Sequence, residues 1–299
     1  MRPAPDGATA GPLPGAGVVD AHHHVWDLTV RDQTWIRGGA LAPLRRSFSL
    51  ADLAPEATAA GVRSTVVVQT VTVAEETPEL LALAAGSELV AGVVGWTDLT
   101  AVDVADALAA LREGPGGRHL VAIRHQVQDE PDPRWLLRPE VRRGLGAVAA
   151  AGLAYDLVVR PLHLPAATAT AAALPGLTFV LDHLGKPPVA TGQLAPWAGR
   201  LRRLAALPNT VAKLSGLVTE ASPGRRTAAD LRPYADTALE AFGPQRLLFG
   251  SDWPVCTLAA GYGEVLDTAR ELTERLSPDE RAAVLAGNAV RVYRLPAGT

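Results

Sequence analysis

Residues 18–26 read Val18-Val19-Asp20-Ala21-His22-His23-His24-Val25-Trp26, an apolar run that leaves a Gly/Pro-rich leader and ends in three histidines. If this run is a strand, its side chains alternate between two faces. His22 and His24 then point one way and His23 the other. Two neutral imidazoles spaced in this way can grip one divalent ion, and imidazole suits zinc-like metals. A polar strand end explains an isolated His-x-His as well, so the rest of the chain has to decide.

Seven more apolar, β-branched runs follow. They lie at 64–70 (STVVVQT), 89–96 (LVAGVVGW), 120–125 (LVAIRH), 154–159 (AYDLVV), 177–183 (LTFVLDH), 210–215 (TVAKLS) and 246–252 (RLLFGSD). With residues 18–21 they make eight. Short, nearly continuous apolar runs are the mark of parallel strands covered on both faces. Ala- and Leu-rich segments with helical punctuation separate them. Ser49 with Asp52 forms a capping box, and that helix stops at Gly61. Thr77-Pro78-Glu79 opens a helix that Gly86 closes, and Ser277-Pro278-Asp279-Glu280 opens a last one ending at Gly287. Further helices are expected at 102–111, 139–151, 165–173, 195–207 and 228–242. Eight strand-helix units predict an α/β fold, a single-domain (β/α)8 barrel of the TIM type over 18–299. A doubly wound open sheet is the rival, but the first strand lacks the Gly-x-Gly-x-x-Gly turn that usually marks it.

Composition narrows the class. Of 299 residues 48% are hydrophobic and 20% charged, enough to build one sizeable core. A net charge of -3 gives no basic footprint for nucleic acid and no polybasic membrane patch. Cys256 is the single cysteine, so no intrachain disulfide forms and a reducing compartment fits. Residues 1–17 read as a flexible Pro/Gly-rich leader without the apolar core of a signal peptide, and no run reaches membrane-spanning length. The expectation is a soluble, cytoplasmic protein acting on a small molecule. Against 26 arginines the chain has only two lysines, Lys186 and Lys213, which marks both as candidates for side-chain chemistry.

In a barrel the active site lies at the C-terminal ends of the strands. Six of the eight runs end in or contain a reactive residue: His22 and His24, Arg124-His125, Tyr155-Asp156, Asp182-His183, Lys213 with Ser215, and Asp252. Arg124 offers a two-pronged clamp for a carboxylate or hydroxyls, with a structural salt bridge as the near-equal alternative. His125 and Lys186 divide between substrate contact and scaffold, and Tyr155, expected at the substrate, has the alternative of a buried hydrogen-bonder in the barrel interior beside Asp156. Residues 26–47 form a candidate lid or pocket wall carrying Trp26 and Trp35.

Three of these stretches resemble a known family. Val-Asp-Ala-His-His-His-Val-Trp at 19–26, Leu-Asp-His-Leu-Gly-Lys-Pro at 181–187 and Leu-Phe-Gly-Ser-Asp-Trp-Pro at 248–254 are similar to the amidohydrolase superfamily. Within it they resemble the amidohydrolase 2 branch, which contains sugar-lactone and pyrone-dicarboxylate lactonases. The resemblance runs from about Val18 to Leu295. It implies a barrel and hydrolysis by an activated water. His22, His24 and Asp252 are the implied metal ligands, with or without His183. Asp252 is also the implied base, with His183 and Arg124 as further catalytic residues, and substrate contacts from Arg124, His125, Tyr155, Lys186 and Trp26. The fourth run ends in Arg124-His125, where two-metal relatives place a bridging carboxylate. The implied cofactor is therefore one divalent ion, zinc first. A metal-free version, in which arginine, lysine and histidine polarise the carbonyl, stays open. So do decarboxylation of an aromatic acid on the same site, and binding of a sugar acid without turnover.

Overall fold

The computed structural model describes residues 17–296, so all but the last residue of the 1–17 leader lies outside the described residues. Eight parallel strands follow one another round a single sheet in chain order. They are β1 (Val18–His23), β2 (Val62–Val68), β3 (Val90–Gly95), β4 (Leu120–His125), β5 (Ala154–Leu157), β6 (Phe179–Leu181), β7 (Thr210–Leu214) and β8 (Leu247–Phe249). The sheet closes where the continuation of β8 meets the end of β1. Asp252 N–H donates to the His22 carbonyl (2.8 Å) and His24 N–H to the Trp253 carbonyl (2.7 Å). Helices connect successive strands, giving the expected (β/α)8 barrel.

Strand parity divides the apolar residues into two layers. Inside the barrel lie small side chains such as Val19, Val66, Ala122, Ala154 and Val211, plugged at the bottom by Ala286, Ala289 and Tyr293 of the C-terminal helical segment. Between strands and helices lies the larger layer, with Ile123, Tyr155, Leu157, Phe179 and Trp197 among its members. Each fully buried Val, Leu or Phe stabilises the fold by about 1.5–3 kcal/mol, and both layers are needed to hold the strand ends in register. Among the described residues no helix is long and apolar enough to cross a membrane.

The sequence-based boundaries fail in instructive places. The helix Glu76–Ala85 starts before Thr77, whose hydroxyl instead accepts from Trp96 N–H and donates to the Trp96 carbonyl. Gly287 does not end the last helix, because a π-helical turn over Ala283–Gly287 carries it on into Asn288–Tyr293. The helix Tyr262–Leu272 had no expectation attached.

Candidate active site

Three imidazoles and one carboxylate converge at the C-terminal mouth. β1 carries a bulge, with Asp20 opposite Thr65 but His23 opposite Val67, so three steps on one strand face two on the other. Such an extra residue shifts the phase of the strand and re-aims side chains next to it. Ala21 thus stays in the barrel interior while His22 and His24 turn toward the same site. His23 faces away, its Nε2 2.9 Å from the Thr65 hydroxyl. His183 arrives from β6 on a left-handed turn, with φ near +50° at His183, Leu184 and Lys186 and +71° at Gly185. Asp252 also has positive φ (60°), a conformation that Asp tolerates better than most residues.

The Nε2 atoms of His22, His24 and His183 lie 3.7, 3.6 and 3.8 Å from Asp252 Oδ1. All four residues are almost fully buried. Two glycines make room for them. A Cβ on Gly216 would sit 2.6 Å from His183 Nδ1, and one on Gly250 would sit 2.7 Å from His22 Cβ. Burial pushes the Asp252 carboxyl up. Facing His183, His24 and His22 outweigh that and hold it well below the usual carboxylate range. Burial pushes His183 down to about 4 and His22 well below its ordinary value, so both rings are neutral.

Below this cluster the barrel interior holds two cations and two anions. Lys213 Nζ lies 2.6 Å from Asp156 Oδ2, 3.0 Å from Asp182 Oδ1 and 3.1 Å from His22 Nδ1. Arg124 Nη1 donates to Asp182 Oδ2 at 3.0 Å, and Tyr293 donates its hydroxyl proton to Asp156 Oδ2 at 2.8 Å. His22 Nδ1 is 3.3 Å from Asp182 Oδ1. A lysine and a carboxylate thus face the imidazole from behind, and the tautomer that frees Nε2 for a metal carries its proton on Nδ1, toward Asp182.

The cluster opens into a cavity of about 100 Å³, lined by His24, Trp35, Thr70, Arg124, Gln126, Gln128, Val158, His183, Lys186, Asp252 and Val255. At ~10–15 Å³ per water-sized occupant it takes on the order of ten heavy atoms, the size of a monosaccharide lactone. A larger cavity, about 480 Å³, is lined by Trp26 together with Asp27, Arg31, Glu76 and Glu79, of which Arg31 pairs with Glu79 at 2.9 Å and Glu76 accepts from the Thr70 and Val71 N–H groups.

Of the expected site residues, the structure brings together His22, His24, Arg124, His183, Lys186 and Asp252. Three others lie elsewhere. Tyr155 belongs to the layer outside the barrel, packed edge-on to Phe179. His125 also faces outward, stacked on Trp135 (4.1 Å), accepting from Trp96 Nε1 and 2.7 Å from Glu130. Both follow inward-facing or precede inward-facing neighbours on their strands, and adjacent strand residues cannot share a face. Trp26 gives its Nε1–H to the Arg46 carbonyl and packs on Trp35 and Phe48, so Trp35 is the tryptophan at the cavity. Arg124 is not a free two-pronged clamp, because Gln69 and Asp182 take most of its donors. Residues that sequence reasoning gave no role here are Gln69, Asp182, Gln126, Gln128 and Glu220. Asp182 alone had a signal, standing beside His183 at a strand end.

The donor set fits one divalent ion. His24 Nδ1 is engaged by the Val68 carbonyl at 2.7 Å, so its proton lies there and the Nε2 lone pair faces the cluster. That Nε2 lies 3.1 Å from His22 Nε2, and ligand atoms of His22, His183 and Asp252 lie within 4.8 Å of one another. Neutral imidazoles with one carboxylate make a catalytic zinc-type set, and two bonds of about 2.0–2.2 Å meeting at an ion span separations of this order. β4 contributes Arg124 here, not a carboxylate.

Known proteins are similar to this chain over most of its length. An L-fucono-1,5-lactonase of Burkholderia multivorans is 42% identical over 293 residues, covering 94% of this chain and 97% of its own. One from Burkholderia ambifaria is 40% identical over 281 residues, covering 93% and 95%. A crystal structure of an amidohydrolase from Burkholderia multivorans with bound zinc superimposes with a TM-score of 0.87 at 42% identity, covering 94% of this chain and 100% of that one. The amidohydrolase family model matches residues 19–295, and with nearly the whole described chain inside that match, the protein belongs to the amidohydrolase family.

Proposed function

We propose that the protein hydrolyses a monosaccharide lactone, L-fucono-1,5-lactone or a close relative, with one zinc ion held by His22, His24, His183 and Asp252. The observation that carries this reading is the convergence of three imidazole Nε2 atoms on Asp252 Oδ1 at the floor of a small polar cavity. Two curated lactonases at 40% and 42% identity support it. When bound, such an ion supplies Lewis acidity toward a carbonyl oxygen and lowers the pKa of water.

The chain's own residues do the rest. Asp252, ionised at any working pH, takes a proton from the attacking water. The neutral imidazoles hold it in line, while Lys213 and Asp182 fix His22 from behind. Gln126, Gln128 and Thr70 present polar groups to ring hydroxyls, and Val158, Val255 and Trp35 cover apolar ring edges. Decarboxylation of an aromatic acid draws less support, since the relatives at 40% and 42% identity are lactonases and Trp35 is the one Trp, Tyr or Phe among the described residues that line this cavity.

A pH-indicator assay on a panel of aldonic acid lactones, with and without prolonged chelation, tests the reading. Turnover of L-fuconolactone that chelation abolishes and zinc restores is the expected result. No turnover of any lactone beside an active control enzyme would overturn it.

A further inference from the structure

Opening a lactone needs two proton transfers, one from water and one to the departing ring oxygen. Asp252 accounts for the first. A donor for the second must face the same cavity and be able to release a proton. Arg124 faces it, but a guanidinium does not deprotonate in proteins. His24 and His183 turn their Nε2 atoms to Asp252, and the Nδ1 atoms engage the Val68 carbonyl and the Ser215 hydroxyl away from it. Gln126, Gln128 and Thr70 carry no acidic proton of use. Lys186 remains.

Several observations single it out. It is one of two lysines in a chain with 26 arginines, and the other, Lys213, is locked between Asp156 and Asp182 inside the barrel. What lysine offers over arginine is a proton it can give up. Lys186 ends the left-handed turn that starts at His183, a conformation costing roughly 1–2 kcal/mol for each residue other than glycine. Such strain collects where function requires it. The turn puts His183 and Lys186, three residues apart, on one cavity. Glu220, at the end of the short helix Leu217–Glu220, lies with Oε1 3.7 Å from Lys186 Nζ. That separation pairs the charges but exceeds a hydrogen bond, so the amine is steered without being tied. Both side chains keep about a quarter of their surface open, 27% and 30%.

We infer that Lys186 is the general acid that protonates the ring oxygen as the lactone opens, and that Glu220 positions its ammonium. The inference rests on the lactone-hydrolase reading. Water attacks the carbonyl carbon and gives a proton to Asp252. The bond from that carbon to the ring oxygen breaks, the electron pair stays on the oxygen, and a proton from Lys186 Nζ joins it. The hydroxy acid leaves, Asp252 returns its proton to solvent, and solvent reprotonates the exposed amine. An alkoxide is far more basic than a lysine amine, whose ordinary pKa is about 10.4, so the transfer runs downhill.

The test is steady-state kinetics of Lys186→Ala and Lys186→Arg on L-fuconolactone, with methylammonium or tetramethylammonium added. Both variants should lose about 10²–10⁴-fold in kcat. Methylammonium should restore part of the activity of Lys186→Ala in a saturable way, and tetramethylammonium, which has charge but no proton, should not. Lys186→Arg with near wild-type kcat, rescue by both cations, or rescue by neither would overturn the assignment. Glu220→Gln should lower kcat with KM within about two-fold, and Glu220→Asp should recover much of the loss; a change in KM alone would refute the positioning role. Wild-type turnover separates the two levels: a wild type inert on every lactone sinks the hydrolase reading and this inference together, whereas an active wild type with insensitive Lys186 variants sinks only the inference.

Discussion

Replacing Lys213 by methionine tests the physics of the barrel interior. Lys213 is fully buried and faces Asp156 at 2.6 Å and Asp182 at 3.0 Å. Without it, Asp182 keeps its pair with Arg124 while Asp156 is left with the Tyr293 hydroxyl and no cation among the described ion pairs. Stranding a buried charge costs about 3–5 kcal/mol. At roughly 2 °C per kcal/mol for a chain of this size, Tm should fall by roughly 6–10 °C. The loss should depend on pH. Burial pushes Asp156 up to about 6 even with Lys213 beside it, against 3.8 for an ordinary Asp. Between those values the folded chain binds more protons than the unfolded one, so this carboxyl's contribution to stability falls as pH rises from about 4 to about 6. Removing Lys213 drives the folded value higher and extends that window toward neutrality. Urea unfolding of wild type and variant at pH 5 and pH 8 measures both effects. A penalty under about 1 kcal/mol, or one no larger at pH 8 than at pH 5, would refute the reasoning. Lys213→Met combined with Asp156→Leu should recover much of the stability.

Three further outcomes are expected. Asp252→Asn should lower kcat by about 10²–10⁴-fold with the fold intact by circular dichroism, and activity within a few-fold of wild type would remove Asp252 as the base. His22→Ala and His24→Ala should each lower bound zinc, measured by elemental analysis after dialysis; full occupancy in both would place the ion elsewhere. Gly216→Ala puts a Cβ 2.6 Å from His183 Nδ1 at a φ of +66°, so kcat should fall at least about ten-fold and stability by about 1 kcal/mol. Unchanged kinetics would mean that His183 has room to move without consequence.

The barrel was legible because its strands are nearly continuous apolar runs, and all eight fall within a few residues of where the pattern put them. The site was legible where chemistry sits on a strand end, as at His22, Arg124 and Asp252. Alternation gave the right side for His24 and His23, although the bulge in β1 also decides it, and no pattern in the residues announces a bulge. Tyr155 and His125 were misplaced for a reason visible in the sequence. Each is the strand neighbour of an inward-facing residue, Asp156 and Arg124, so parity already sends it outward. Asp182 stands beside His183 at the end of the 177–183 run, and a plain strand end there would send the two neighbours to opposite faces. The left-handed turn breaks alternation and lets neighbouring Asp182 and His183 both serve the site. Glu220 lies on a four-residue helix too short to have a periodicity.

The buried charges come from different parts of the chain: Arg124 from β4, Asp156 from β5, Asp182 from β6, Lys213 from β7, with the Tyr293 hydroxyl from the last helix. A cut between β4 and β5 would divide them unequally. The first half-barrel would carry one interior cation, and the second would carry two anions against one cation. Each half has the charge the other lacks. Two copies of the same half, docked as a pseudo-barrel, would instead bury like charges face to face. The interior thus acts as a lock on assembly, admitting the closure of unlike halves and penalising every pairing of like ones, and no fragment that stops short of Tyr293 can complete it.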